Sequence, residues 1–168
     1  AAGVVIAVLI GLALEWLVVR FLYERDHLYQ VLLTYGLILI ADRFERFESF
    51  VGTLEPGQLE RALATWPGPV TWLFPRGPGV PDWLAGSHPS VALRVTAHFV
   101  CRALCVAFEG AIVSTSANRC GVEPARSAQQ VMGYFADRLC GIVAGELGQN
   151  ARPSEIRDLA SGRVVREG

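Results

Sequence analysis

The chain has 168 residues, of which 52% are hydrophobic and 18% are charged, and its formal net charge is -1. This length is enough for one domain with a buried core. The near-zero charge excludes the basic surplus that is typical of a strong nucleic-acid binder. All 15 basic positions of the Lys and Arg type are Arg, which excludes any mechanism that needs a lysine ammonium in this polypeptide.

The first part of the chain is an apolar run that ends near Tyr23, and it reads AAGVVIAVLIGLALEWLVVRFLY. At about 1.5 Å per residue the run is long enough to cross a bilayer. Glu15 and Arg20 interrupt it, and each is costly at membrane depth. The run lacks the basic start and the cleavage site of a signal peptide. We expect an apolar helix with membrane contact through residues 1–23, and a buried amphipathic helix is the alternative.

The first quarter of the chain resembles a fragment of a branched-chain amino-acid ABC transporter permease. The likeness rests on the strings LEWLVVR at 14–20, RDHLYQVL at 25–32 and TYGLILI at 34–40. A fragment this short cannot form a transport path. The resemblance predicts that the chain has two parts, namely a permease-like helical segment over 1–35 and a different domain over 36–168.

From Asp42 onward, apolar runs are short and are punctuated by Pro, Gly and charged residues. Short runs of this kind are typical of strands. They predict strands at Val70–Phe74, Val91–Val95, Ile112–Thr115, Gly141–Val143, Glu155–Asp158 and Arg163–Arg166. Because helical patterns alternate with these strands, we expect an α/β domain with a mixed sheet.

Three helices are predicted in the same region. Apolar spacing predicts the first over Leu54–Ala64, and Thr96 is a candidate N-cap for the second, which runs to Phe108 and is closed by Gly110. A loop is expected over Pro78–Gly86. The third begins with a capping-box pair and buries three side chains, and its signature residues are Ser127, Gln130, Val131, Tyr134 and Phe135.

The four cysteines carry no metal-binding pattern. No pair has the spacing of a zinc site, and no His is placed to complete one. We therefore expect reduced cysteines and no metal ligands among the protein side chains.

The most informative polar motif is Ala111–Asn118, which reads AIVSTSAN and is followed by Gly121. An apolar strand here leads directly into small hydroxyl residues and an Asn. Such residues let a backbone approach a ligand and donate hydrogen bonds to phosphate or carboxylate oxygens. A serine-rich turn without a ligand is the alternative.

Three further segments carry polar groups at strand ends: WPGPVTW at 66–72, SVALRV at 90–95, and RPSEIRD at 152–158 with VVR at 164–166. Arg94 is notable because an Arg inside an apolar strand normally needs an anionic partner. A structural salt bridge explains Arg94 equally well. Together, an Arg, several hydroxyls and an Asn indicate a site for a polyanion or a carboxylate.

In this order and spacing the motifs resemble the YrdC-like family of threonylcarbamoyl-AMP synthases, in its short bacterial single-domain form (TsaC type). The likeness extends over about 36–168 and includes GLILIA at 36–41. It implies a YrdC-like twisted mixed sheet with flanking helices, here N-terminally truncated and preceded by an apolar helix.

The resemblance also implies a reaction and a location. The family joins L-threonine, bicarbonate and ATP to give threonylcarbamoyl-AMP and pyrophosphate. The product serves the N6-threonylcarbamoyl modification of adenosine 37 in tRNA, through downstream threonylcarbamoyl transferase machinery. ATP would act as a substrate with Mg²⁺, with no bound cofactor, and the protein would be cytoplasmic.

Site residues follow from the same resemblance, position by position, and no catalytic residue is assigned. Threonine-contacting positions are matched by Arg94, Ser114 and Ser154. ATP-contacting positions are matched by Ser90, Ser116, Asn118, Pro124 and Arg166, with Asn118 bracing either the loop or a phosphate.

The sequence departs from the family at its N-terminal part. A strand ending in a Pro-Thr-Glu type turn and a Lys-x-Arg pair are replaced by the permease-like segment, and the two resemblances meet within GLILI at 36–40. This suggests a chimeric reading frame and impaired activity. Two other functions stay open: a non-catalytic double-stranded RNA or tRNA-binding module, and a fragment of a membrane amino-acid permease.

Overall fold

The computed structural model describes residues 37–86, 88–119, 121–148 and 153–168. The apolar run of residues 1–23, the whole permease-like segment over 1–35 and Arg152 lie outside the described residues. In the described part, the strands are β1 Ile38–Ala41, β2 Thr71–Pro75, β3 Ser90–Val95, β4 Ile112–Ser114, β5 Ile156–Asp158 and β6 Val164–Arg166.

These strands form one mixed sheet in the order β4-β1-β3-β2-β5-β6. The pairs β1–β3 and β2–β5 are parallel, whereas β1–β4, β2–β3 and β5–β6 are antiparallel. The expected α/β class with a mixed sheet is therefore confirmed. β1 forms from GLILIA, whose continuous apolar character is typical of a strand buried on both faces.

The helices are α1 Gln58–Leu63, α2 Asp82–Ala85, α3 Phe99–Phe108 and α4 Ala128–Phe135, with 3₁₀ helices at Phe44–Phe50 and Ala136–Arg138. The first 3₁₀ helix lies against β1 and β3, and α3 lies against β1. No helix among the described residues has both the length and the apolar character needed to cross a bilayer.

The main core lies on one face of the sheet. Alternate residues of β1, β2 and β3 enter it, and Trp72, Phe74 and Leu93 are each at most 1% exposed. Trp66 stacks on Phe74 at a centroid distance of 5.6 Å, and its indole Nε1 donates to the carbonyl oxygen of Val70 at 2.7 Å. The WPGPVTW motif thus turns into β2 with its aromatic residues packed in the core.

Some predicted elements differ from the structure. The strand predicted at Gly141–Val143 was wrong, because this segment is irregular and pairs with no described strand. Its side chains Ile142 and Val143 are 42% and 61% exposed. α1 begins at Gln58 rather than Leu54 because Gly57 adopts a left-handed conformation with φ 82°. The loop expected over Pro78–Gly86 contains α2.

The two later helices start through different caps. His98, not Thr96, caps α3, because its imidazole accepts from the backbone N–H of Cys101 at 3.5 Å. The Thr96 hydroxyl instead accepts from the N–H of His98 at 3.1 Å. Ser127 caps α4 as predicted, by accepting from the N–H of Gln130 at 3.2 Å. The apolar side chains of α4 expected to be buried are half-buried, namely Val131, Tyr134 and Phe135.

Candidate functional site

Arg94 lies on the face of the sheet opposite the main core. Side chains alternate along a strand, and Val91, Leu93 and Val95 of β3 enter the core. Ser90 and Arg94 therefore share the other face with Ala92 between them. The placement of Arg94 inside an apolar strand, which marked it in the sequence, is explained by this alternation.

A row of residues crosses this face at the level of Arg94. Ile40 of β1 pairs with Arg94, Thr71 of β2 pairs with Ile156 of β5, and Ile156 pairs with Arg166 of β6. Thr71 is adjacent to Arg94 across β2 and β3, because its neighbour Trp72 pairs with Leu93 in an antiparallel register. Laterally paired residues point to one face of a sheet, so the row carries both arginines on the same side.

Burial shifts the pKa of both arginines in this row. Burial is the main cause that lowers the pKa of Arg94. The Cys101 thiol raises this pKa, whereas the charge of Arg166 lowers it further. Burial also lowers the pKa of Arg166. The Nε atoms of both arginines are buried without a hydrogen-bond partner among the described residues. An anion bound at either group would satisfy its free Nε donor and offset the cost of its burial.

Ser154 joins this pair of arginines from the segment that precedes β5. Its carbonyl oxygen accepts from Nη2 of Arg166 at 2.9 Å, and its Oγ lies 3.2 Å from Oγ1 of Thr71. Ser154 thus places a hydroxyl beside the two guanidinium groups. A carboxylate or phosphate here would meet N–H and O–H donors together.

The remaining hydroxyls lie toward the opposite end of the same face. Ser114 pairs with Ile38, two residues before the Ile40 that pairs with Arg94, and it ends β4. β4 runs antiparallel to β1, so its end lies where β3 begins with Ser90. At ~3.3 Å per residue, Ser90 and Arg94 are about 13 Å apart along β3. Ser90 thus lies at the far end of this face from Arg94, and Ala92 between them is buried.

The loop after β4 is held by Asn118. Its Nδ2 donates to the carbonyl oxygens of Val122 at 2.8 Å and Arg119 at 3.2 Å. Of the two roles expected for this Asn, bracing of the loop is the one these bonds perform. Ser116 and Pro124 are exposed in the same loop.

The structure thus gathers some of the site residues expected from sequence and separates others. Arg94, Ser154 and Arg166 form one cluster. Ser90 and Ser114 share its face but lie further along the sheet. Thr71 lies within the WPGPVTW segment that the sequence marked as polar, but no contact was expected of this residue.

The cluster is suited to binding an anion and not to holding a metal ion. Within the described ranges, no three His, Cys, Asp or Glu side chains are grouped as metal ligands. The positive charge is supplied by arginine alone. A divalent cation at this face would therefore be coordinated by oxygen atoms of the bound ligand.

Comparison with known proteins finds relatives over most of the chain. Residues 30–168 match the Sua5_yciO_yrdC family, described as telomere recombination. Two curated relatives, from Cellvibrio japonicus and Alkalilimnicola ehrlichii, are named threonylcarbamoyl-AMP synthase. The first is 49% identical over 78% of this chain and 69% of its own length. The second is 52% identical over 78% of this chain and 70% of its own length.

Solved structures share the fold. Sua5 from P. abyssi in complex with L-threonine aligns with a TM-score of 0.68 and 26% identity, over 82% of this chain and 42% of the Sua5 chain. This chain therefore spans less than half of that protein. The MTH1692 protein from Methanobacterium thermoautotrophicum aligns with a TM-score of 0.62 at 20% identity, over 86% of this chain and 73% of that one, which supports the fold alone.

Proposed function

We propose, from the premise that this chain belongs to the Sua5/YciO/YrdC family, that it is a threonylcarbamoyl-AMP synthase. Its reaction would join L-threonine, bicarbonate and ATP and release pyrophosphate. The observation that carries the proposal is the pair of arginines on one sheet face, whose buried Nε atoms have no partner among the described residues. Both L-threonine and ATP present anionic oxygens that such a pair can bind.

L-Threonine would occupy the end of the face that holds Arg94. A guanidinium binds a carboxylate through two parallel hydrogen bonds, and Arg94 is suited to this because its Nε is uncommitted. Ser154 would add a hydroxyl donor to the same carboxylate. Ser114, on β4 two strands away from Arg94, is proposed to contact the rest of the amino acid.

ATP would bind beside L-threonine on the same face. We propose contacts from Ser90, Ser116 and Arg166, with Pro124 beside the nucleotide and Asn118 bracing the loop. Arg166 supports this role because Ser154 fixes its Nη2 and leaves its Nε free. Mg²⁺ would arrive bound to the phosphates.

The chemistry needs charge neutralisation and alignment more than a protein nucleophile. L-Threonine and bicarbonate condense to a carbamate with loss of water. A carbamate oxygen then attacks the α-phosphorus of ATP, and the bond to the pyrophosphate leaving group breaks. Arg94 and Arg166 would hold the two anionic reactants close together against their mutual repulsion.

We further propose that this 168-residue polypeptide works slowly, because it contains no lysine to bind the triphosphate. Loss of one charge-assisted contact of this type costs ~10²–10³ in rate. We also propose that the product passes in the cytoplasm to a transferase that modifies tRNA.

The direct test is to measure threonylcarbamoyl-AMP by mass spectrometry after incubation with ATP, Mg²⁺, bicarbonate and L-threonine. The Cellvibrio japonicus relative is the positive control. We expect slow product formation that stops when L-threonine or bicarbonate is left out. A rate equal to the relative's would refute the account of the absent lysine. Absence of both product and ATP binding would refute the proposed function.

A further inference from the structure

Thr71 is a buried polar residue that the proposed reaction leaves without a role. Its side chain is 0% exposed, and Thr96 is the other buried polar residue of the described chain. The hydroxyl of Thr96 is used within its own turn, where it accepts from the N–H of His98. The hydroxyl of Thr71 instead reaches Ser154, which is distant in sequence but lies beside the two arginines.

The Thr71–Ser154 hydroxyl contact is not needed to attach the segment of Ser154 to the sheet. The backbone N–H of Thr71 already donates to the carbonyl oxygen of Glu155 at 2.8 Å, and β2 pairs with β5 directly after it. The main chain therefore holds this segment without the hydroxyl of Thr71. What the side-chain contact adds is a fixed orientation for the Ser154 hydroxyl.

The direction of that hydrogen bond follows from the ligand. A carboxylate is an acceptor only, so the Ser154 hydroxyl must donate to it. The Ser154 oxygen can then accept from Thr71, whose own hydroxyl proton has a partner at 3.2 Å. In this arrangement Thr71 donates to Ser154 and Ser154 donates to the ligand.

We infer that Thr71 is a positioning residue for the amino-acid substrate, acting by holding the Ser154 hydroxyl toward the carboxylate that Arg94 binds. The inference rests on the proposed function. It also predicts selectivity, because Arg166 is held by the carbonyl oxygen of Ser154 and not by its hydroxyl. Loss of the Thr71 hydroxyl should weaken binding of the amino acid and spare the nucleotide.

Calorimetric titration of the 168-residue chain with L-threonine, and separately with ATP and Mg²⁺, tests this. Thr71→Val removes the hydroxyl with little change in shape, and we expect L-threonine binding to weaken about 5- to 10-fold. ATP affinity should stay within about 2-fold, and Thr71→Ser should restore L-threonine binding. Thr65→Val is the matched control, because it also removes a hydrogen-bonded threonine hydroxyl, but one in the core and away from Ser154. The Thr65 hydroxyl accepts from Trp72 Nε1 at 2.9 Å.

A double-mutant cycle separates positioning from general packing. If Thr71 acts through Ser154, then the Thr71→Val, Ser154→Ala double variant binds L-threonine no more weakly than Ser154→Ala alone. Additive losses, or an equal loss of ATP affinity, would overturn the inference. If Thr71→Val does not fold, Thr71→Ala provides the same comparison. Wild-type protein that binds ATP but not L-threonine would overturn both the inference and the proposed function, whereas normal binding by Thr71→Val would overturn the inference alone.

Discussion

At the scale of single residues, the site is defined by cations that the fold holds near each other. Arg94 and Arg166 come from strands distant in sequence, and burial lowers the pKa of each. Arginine stays charged under all ordinary conditions, so the lowered pKa indicates a cost of burial rather than a neutral side chain. A bound anion offsets that cost.

Arg166→Ala tests the nucleotide side of this account. A hydrogen bond to a charged group is worth ~1.5–3 kcal/mol, so ATP affinity should fall by about 10- to 100-fold. Arg163→Ala is the matched control, because Arg163 is exposed near the start of the same strand. ATP titration would contradict the account if both variants bound equally well.

Cys105 supplies a prediction about pH. Burial, followed by the charge of Asp42, raises the pKa of this thiol, which lies 3.6 Å from the carbonyl oxygen of Ile40. The folded state therefore favours the protonated thiol. Its contribution to stability is complete below the unfolded-state pKa of ~8.5 and is lost as pH rises through the folded-state pKa.

Denaturant unfolding of wild type and Cys105→Ala across this alkaline range measures the effect. The difference in free energy of unfolding between the two proteins should shrink above about pH 8.5. A difference that stays constant with pH would show that the thiol does not ionise differently in the two states. Cys140→Ala, at an exposed thiol, is the control.

Individual candidate site residues were predictable from sequence where they interrupt or follow an apolar strand pattern. Arg94 interrupts an apolar strand, and Ser114 to Asn118 follows one directly, so both stood out in the sequence. Thr71 did not, because a threonine fits a buried strand without disturbing its apolar pattern. Its partner Ser154 is distant in sequence, and only the register of β2 against β5 brings them together.

At the scale of elements, apolar runs located β2, β3, β4, β5 and β6 to within one or two residues. They failed at 141–143, where a short apolar run has no described partner strand. Helix starts were less predictable because they depend on local geometry, as at Gly57. The 3₁₀ helix Phe44–Phe50 was not predicted, although Phe47 is fully buried in the core.

A close approach between two chain segments supplies a prediction about packing. The backbone of Gly77 lies against residues 50 and 51, and an added Cβ would come within 2.6 Å of the carbonyl carbon of Phe50. The N–H of Gly77 donates to the carbonyl oxygen of Phe50 at 2.8 Å, so the segments cannot separate freely. Gly77→Ala should lower the free energy of unfolding by about 1–3 kcal/mol.

Gly133 is the matched control for this substitution. It lies within α4, and an added Cβ would meet no atom within 4 Å. Gly133→Ala should be neutral or stabilising by up to ~1 kcal/mol, because alanine favours the helix. Chemical denaturation measures the free energy of unfolding of both variants. An equal change in the two variants would show that the Gly77 contact is not tight.

At the scale of the whole molecule, the sequence indicated an α/β fold class and a family, and both are confirmed. The division into a permease-like segment over 1–35 and a domain over 36–168 stays a prediction. The segment's likeness to a permease rests on the strings within residues 14–40, whereas the family match begins at residue 30.

Removal of residues 1–29, which precede the family match, tests whether the apolar run belongs to the folded domain. An unpartnered run of this length favours aggregation or detergent, so the shortened protein should have a larger soluble fraction. The unfolding transition of the domain should be unchanged. A lower transition temperature would show that these residues pack on the domain.

The most direct test of the central claim is calorimetric titration of L-threonine in the presence of ATP and Mg²⁺, comparing wild type, Arg94→Ala and Arg102→Ala. Arg102 is exposed on α3 and provides an arginine control outside the site. We predict that Arg94→Ala weakens L-threonine binding at least ~10-fold, as expected for a lost charge-assisted bidentate contact. Arg102→Ala should bind as wild type does. Equal L-threonine binding by Arg94→Ala and wild type, or none by wild type, would contradict the account.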